Sequence, residues 1–213
     1  AGGGPRPFAV ANFDAPSKVY AWDGSAAGGP YLVEEGTLNQ TGLVALECFQ
    51  TAALDTYLVA ARFFDASSFT HEVNSTVYRW DFAAGGFAEH QVLPVARGAR
   101  GLESALLPGY AAGEDRRVLF VASELGDASA VYLWSQQAAA FLPLQTIATS
   151  RATDGALFLS RGSLFLAVSQ AGDCQTASTG ETGECSLVLL WNGTRFLGTT
   201  TSDTLNADVS GGH

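Results

Sequence analysis

The chain has 213 residues, of which 47% are hydrophobic and 15% charged, with a net charge of −10 and one lysine, Lys18. This composition excludes a disordered chain, which lacks the apolar surface needed to offset its ordering entropy. The acidic balance also excludes a nucleic-acid partner and attraction to an anionic membrane surface, because both need a basic face.

Residues 1–7 form a Gly/Pro-rich lead-in. From position 8 the chain reads as short apolar, β-branched and aromatic runs bounded by Gly, Asp, Pro or Ser, which predicts strands. The first, Phe8-Ala9-Val10-Ala11-Asn12, is followed by Val19-Tyr20-Ala21-Trp22, then Tyr31-Leu32-Val33, then a run at 42–49. The order recurs at 57–61, Val77-Tyr78-Arg79-Trp80, 87–93 and 101–107, and again at 119–123, Val131-Tyr132-Leu133-Trp134, 141–147 and 155–160. A fourth pass has 164–169, Val188-Leu189-Leu190-Trp191 and Phe196-Leu197, and it lacks the last strand type. Residues 199–213 form a polar tail. No apolar run approaches the ~20 residues that span a bilayer, so no membrane insertion is expected.

All four tryptophans, Trp22, Trp80, Trp134 and Trp191, fall at one repeated position, with spacings of 58, 54 and 57. Four short strands in somewhat over fifty residues describe one blade of a propeller. The expected fold is an all-β β-propeller of four-stranded antiparallel blades, repeated over 8–198. About four repeats are visible, either as a complete ring or as an arc of a larger one, for instance seven-bladed. The absence of Met and an unpaired Cys48 favour an arc. Strand alternation puts Val and the third residue of Val-Tyr-x-Trp on one face, with Tyr and Trp on the other. The Trp row is therefore expected in the repeat core, filling the gap between blades.

The segments Val131-Tyr132-Leu133-Trp134, Phe141-Leu142-Pro143-Leu144-Gln145-Thr146-Ile147, Arg151-Ala152-Thr153-Asp154-Gly155-Ala156 and Leu164-Phe165-Leu166-Ala167-Val168-Ser169 together resemble the EAR repeat, also called the EPTP or epitempin repeat. Tyr57-Leu58-Val59-Ala60, Asn74-Ser75-Thr76-Val77-Tyr78-Arg79-Trp80 and Gly98-Ala99-Arg100 resemble it too, so the likeness covers roughly 8–197. The resemblance implies a secreted or cell-surface protein whose repeats build a seven-bladed propeller that binds receptor ectodomains. One departure marks a divergent member. The family has Asp-Trp-Glu after its Gln-x-Ile strand, whereas this chain has Gly101-Leu102-Glu103 and Asp154-Gly155-Ala156.

Three Asn-x-Ser/Thr triplets, at Asn39, Asn74 and Asn192, predict N-glycosylation and an extracellular location, secreted or at the cell surface. Cys174 and Cys185 bracket a polar loop and predict a disulfide, with a metal pair as the rival. Cys48 is left over, either as a buried free thiol or paired outside the chain. Asp14, Asp65, Asp127 and Asp173 each follow the first strand type and would form a carboxylate ring for Ca²⁺, unless each simply starts its turn. No other cofactor is implied. The adjacent acids Glu34-Glu35 and Glu114-Asp115 are expected to be solvated. No catalytic constellation forms around His71, His90 or His213, so no enzyme is predicted.

The expected function is a non-catalytic protein–protein adhesion or scaffolding module, binding a protein partner or copies of itself in an extracellular assembly. The alternative is a carbohydrate-binding or carbohydrate-active propeller, which would need a pocket with several carboxylates and a stacking aromatic. A third reading is a structural filament subunit.

Overall fold

The computed structural model describes residues 7–22, 32–94, 97–109, 114–171, 173–175, 182–184 and 186–198. Every described regular element is a β-strand, and every strand pair is antiparallel. Strands β1 (Pro7–Val10), β2 (Ser17–Trp22) and β3 (Leu32–Leu38) form a three-stranded sheet. Strands β4 (Leu43–Gln50), β5 (Thr56–Arg62), β6 (Ser75–Asp81) and β7 (Gly86–Leu93) form the second sheet. The third holds β8 (Ala99–Leu106), β9 (Arg117–Ser123), β10 (Ala128–Ser135) and β11 (Ala140–Ala148). After β12 (Ala152–Ser160) and β13 (Ser163–Gln170), a small hairpin of β14 (Asp173–Gln175) and β15 (Thr182–Glu184) interrupts the repeat. Strands β16 (Leu187–Trp191) and β17 (Phe196–Gly198) then complete the fourth sheet. The sheets are the blades of a β-propeller. β8 packs against both β4 and β12, so these three are the inner strands.

One sequence expectation is corrected by this topology. The strand types at 42–49, 101–107 and 155–160 were assigned to the repeat they end, but each opens the next sheet: β4 pairs with β5 and not with β3. The cause is a corner before each inner strand. Gly42, Gly98 and Arg151 occupy it with φ of 75°, 64° and 52°. The Gly42 and Gly98 N–H groups donate back to the preceding repeat, at the carbonyls of Phe13 (2.8 Å) and His71 (3.0 Å). The carbonyls of Gly42, Gly98 and Arg151 accept from Phe63, Glu124 and Ala171, just past β5, β9 and β13. The backbone therefore steps between sheets at this point. The fourth sheet has four strands, and among the described residues it is the first that has three.

Packing follows the alternation. Tyr78 and Trp80 face the first sheet with Val19, Leu38, Leu58 and Ala60. Val77 turns the other way and joins Tyr57, Val59, Tyr132 and Trp134 between the second and third sheets. Val131 and Leu133 in turn face the fourth sheet, with Phe120, Leu166, Leu189 and Trp191. Residues 118–122 are wholly buried, because β9 has a neighbouring sheet on both faces. Full burial of such side chains stabilises by about 1.5–3 kcal/mol each.

Two cross-links repeat with the strands. Each described Trp meets the Phe opposite it edge-on: Trp80–Phe87, Trp134–Phe141 and Trp191–Phe196, with ring centroids 5.1, 5.1 and 5.2 Å apart. The Trp22 side chain lies outside the described residues. The second cross-link is a glutamine clamp. Gln91 donates to the Phe141 carbonyl (2.7 Å) and accepts the Phe141 N–H (2.9 Å). Gln145 does the same to Phe196 in the next sheet, at 2.9 and 2.8 Å. The Gln of the Gln-x-Ile motif is thus an inter-blade fastener. A Cβ on Gly155 would lie 2.4 Å from the Phe120 ring, so Phe120 fills the space that a Trp at 155 would occupy.

Two substitutions test these devices. Gly42→Ala places a methyl 1.8 Å from the Phe64 carbonyl oxygen and retains a left-handed backbone, so it should destabilise by about 2–4 kcal/mol in urea unfolding. Gln145→Ala strips both hydrogen bonds from Phe196 and should cost about 1–3 kcal/mol in the same assay.

Candidate functional site

Of the aspartates first suspected of holding Ca²⁺, Asp65 serves its turn with its carboxylate. Asp65 accepts from the Ser67 and Ser68 hydroxyls and the Ser67 N–H, and pairs with Arg62 at 3.0 Å. The Ser68 and Ser67 hydrogen bonds, with Arg62 adding a smaller pull, bring its pKa down to about 2. Asp14 lies in an exposed turn organised by the Asn12 side chain, and the Asp127 carbonyl caps Thr149. The side chain of Asp173 lies outside the described residues. Among the described residues no group of three His, Cys, Asp or Glu is placed to hold a metal ion.

Asn39, Asn74 and Asn192 are all exposed, so each sequon is accessible. Asn192 also shapes its turn, accepting from the N–H groups of Thr194 and Arg195. The β14–β15 hairpin sets Cys174 opposite Gly183, but Cys185 and the Cys174 side chain lie outside the described residues. Cys48 is an exposed free cysteine on β4, not the buried thiol that was one expectation. Partial desolvation and the Glu47 carboxylate push its pKa up, against a smaller pull from Arg117. His71 and His90 bond to the carbonyls of Phe63 (2.9 Å) and Ala139 (2.6 Å), and His213 is outside the described residues.

The adjacent acids do not both behave as solvated charges. Glu34 pairs with Lys18 at the surface. Asp115, by contrast, is buried and accepts the Ala52 N–H at 3.1 Å. It belongs to a polar seam between the second and third sheets. There Glu47 accepts from Ser104 at 2.6 Å, Arg117 donates to the same hydroxyl at 2.9 Å, and Arg117 sits 4.9 Å over the Phe49 ring. Desolvation lowers the Arg117 pKa, opposed by Asp115, Glu47 and Cys48. One inner strand further on, Glu103 is pushed up by desolvation and by the charges of Glu47 and Asp154, against a hydrogen bond from the Leu157 N–H. Acids on three successive inner strands thus act on one another near the propeller axis.

A separate cleft of about 490 Å³ opens along the outer strands of the second sheet. Its walls carry Asp55, Arg79, Asp81, Phe82, Glu89 and His90, with Trp80 among the lining residues. Arg79 and Asp55 pair at 2.8 Å, which fixes both. Asp81 accepts from the N–H groups of Ala83 and Ala84, so its carboxylate is held by the turn that presents Phe82. Phe82 is 75% exposed. A second cleft of about 420 Å³, lined by Pro94, Tyr132, Pro143 and Gln145 among others, has no charged residue in its wall. The first cleft therefore meets the chemical condition set for sugar recognition, several fixed carboxylates beside a free aromatic. Sequence reasoning missed it because it placed the aromatics in the core. The signal that could have found it was Phe82 directly after Trp80-Asp81, in a turn.

Glu103 makes a pH prediction. A carboxyl with a folded-state pKa above its unfolded value binds its proton more tightly when folded, so its contribution to stability falls as pH rises between the two values. Glu103→Gln should therefore raise the thermal midpoint relative to the parent more at pH 7 than at pH 4. Melts at the two pH values check this.

No family model matches the chain, and no curated protein matches it. Among solved structures, the chain resembles an exo-β-1,3-galactanase from Phanerochaete chrysosporium with β-1,3-galactotriose. The identity is 8% and the TM-score 0.52, over 85% of this chain and 41% of that one. The same enzyme with galactose gives 7% identity and a TM-score of 0.50, over 86% and 46%. A putative 6-phosphogluconolactonase from Bacteroides fragilis aligns at 13% identity with a TM-score of 0.48, over 84% and 53%. This chain spans less than half the length of the galactanase chain. The expectation of a protein-binding adhesion or scaffolding module is corrected here: the two galactanase structures, at TM-scores of 0.52 and 0.50, are in line with the carbohydrate alternative instead. The likeness shows the fold alone: an all-β, β-propeller-like array of antiparallel sheets, four-stranded after the first among the described residues.

Proposed function

We propose that this chain is a carbohydrate-binding propeller that takes a glycan in the cleft of the second sheet. One observation carries the reading. The cleft joins a free aromatic face, Phe82, to the fixed carboxylates of Asp55 and Asp81 and to Arg79. The apolar face of a sugar ring stacks on an aromatic, while its hydroxyls need acceptors and donors already held in place. Asp55, Asp81 and Arg79 are held by hydrogen bonds that do not use up their full capacity. The likeness to a galactanase that holds galactose and β-1,3-galactotriose makes galactosides the first class to test. The exposed sequons support a secreted or cell-surface glycoprotein, and the repeat motifs support kinship with EAR-type propellers.

A second reading, chemistry on the glycan, is favoured by Glu103. Its raised pKa suits a proton donor, and Asp154 lies close enough to add to the shift. Paired carboxyls with separated pKa values are what glycoside hydrolysis uses.

The test is calorimetric titration of the 213-residue chain with galactose and β-1,3-galactotriose, alongside a panel of other oligosaccharides. Binding is expected, and Phe82→Ala should weaken it about tenfold, equivalent to an aromatic contact of ~1.4 kcal/mol. Because Phe82 is exposed, that variant should keep the parent's stability. No binding to any oligosaccharide, or binding indifferent to Phe82 and Asp81, overturns the cleft. Release of new reducing ends that is abolished by Glu103→Gln would move the site to the inner strands.

A further inference from the structure

The corner before each inner strand holds its residue in the left-handed region, and at the third corner that residue is Arg151, with φ of 52°, where the others have Gly42 and Gly98. Glycine adopts this conformation freely, whereas a side chain there is strained. A strained residue held in place by its surroundings points to function. Each corner is also followed by a register shift, at 43–45, 99–102 and 152–154. Such β-bulges re-aim side chains, and the one in β8 contains Arg100. Arg100 and Arg151 converge on one acid from successive inner strands. Arg100 Nη1 lies 3.6 Å from Glu124 Oε2, and Arg151 Nη2 lies 4.0 Å from Glu124 Oε1. Both separations are too long for a hydrogen bond. Glu124 Oε2 is buried and has no hydrogen-bond partner among the described residues. Arg97, three residues before Arg100, shows the contrast, since its Nε donates to Glu72 at 2.9 Å. Arg100 is braced instead by the Phe63 ring, whose centroid is 5.5 Å from the guanidinium carbon. The Arg100 and Arg151 side chains are 48% and 60% exposed. Two guanidinium forks thus surround one carboxylate with donors to spare and one positive charge in excess.

We propose that Arg100 and Arg151 form a second site, which takes the single negative charge of an acidic sugar, a uronate carboxylate or a sulfate ester. Guanidinium forks match the geometry of such oxyanions. An excess of one charge suits a monoanion better than a phosphate monoester, which carries nearly two. The loops support the place. Residues 63–74 leave β5 beside the Gly42 corner, and residues 171–186 leave β13 beside Arg151, so both long insertions open at this end of the strands. Insertions gathered on one face often mark the binding face. The inference rests on the reading of the chain as a glycan binder but not on the Phe82 cleft, which lies at the other end of β6.

Calorimetric titration of the 213-residue chain with galacturonic acid and galactose 6-sulfate, against galactose, tests it, because the three share one ring and differ at one carbon. At low salt at least one acidic sugar should bind about tenfold more tightly than galactose, and the advantage should fade as added salt screens it. Which of the two binds tells a carboxylate from a sulfate ester. Arg151→Gly should abolish the advantage while keeping the thermal midpoint at or above the parent's, since glycine suits the corner. Arg100→Gln should reduce it too. Glu124→Gln removes the competing carboxylate and should enlarge it about threefold. Acidic sugars bound no better than galactose overturn the proposal, and so does an advantage that survives Arg151→Gly or shrinks in Glu124→Gln. Galactose binding lost in Phe82→Ala, with nothing gained from the anionic group, refutes this site and leaves the cleft standing. An acidic-sugar advantage that persists in Phe82→Ala upholds this site whatever becomes of the cleft.

Discussion

A twisted four-stranded sheet with two apolar faces cannot bury both by itself, and everything in this molecule follows from how it covers the second face. The seam between sheets is asymmetric. One side presents Tyr and Trp from the Val-Tyr-x-Trp strand, and the other presents Val and the residue between Tyr and Trp. Large rings then enter a shallower aliphatic surface, and among the described sheets each Tyr/Trp face meets a Val face. The glutamine clamps sit on the same seam and add direction to it. Gln91 and Gln145 each take both main-chain groups of one phenylalanine in the following sheet, so the seam has a fixed register as well as a buried area. Dry packing alone would allow the sheets to slide.

The candidate cleft depends on that seam by contrast. The third residue of the motif is Leu133 in the third sheet and Leu190 in the fourth, but Arg79 in the second. A guanidinium at this place resists burial, and it is drawn to Asp55 at the surface. The outer end of the seam therefore has charged walls where its counterpart around Leu133 is apolar. The adjoining turn, organised by the Asp81 carboxylate, carries Phe82 outward. A single departure from the apolar pattern thus gives the second sheet a polar cleft.

Much of the fold was legible because its signal is periodic. Four tryptophans in one register, each followed by a phenylalanine strand in the described sheets, admit few architectures. The alternation of Val-Tyr-x-Trp assigned its faces correctly. The grouping of strands into sheets was not legible, since the corner that transfers the chain between sheets is a backbone conformation shared by Gly42, Gly98 and Arg151, and Arg151 gives no hint of it in sequence. The cleft was hidden for a different reason. Asp55 and Arg79 are 24 residues apart and meet only through the β5–β6 pairing. The burial of Asp115 was missed likewise, because its partner, the N–H of Ala52, comes from the previous sheet.

The clamps have a further consequence for how the molecule comes apart. Because each sheet touches only its neighbours, its opening is a nearest-neighbour event. The amides of Phe141 and Phe196 donate to glutamine side chains rather than to a strand partner. Their exchange with solvent deuterium therefore reports the parting of sheets and not the fraying of strands. In a chain whose sheets open one at a time, Phe141 reports the seam between the second and third sheets and Phe196 that between the third and fourth, and the gap between the two rates measures the cooperativity of the stack.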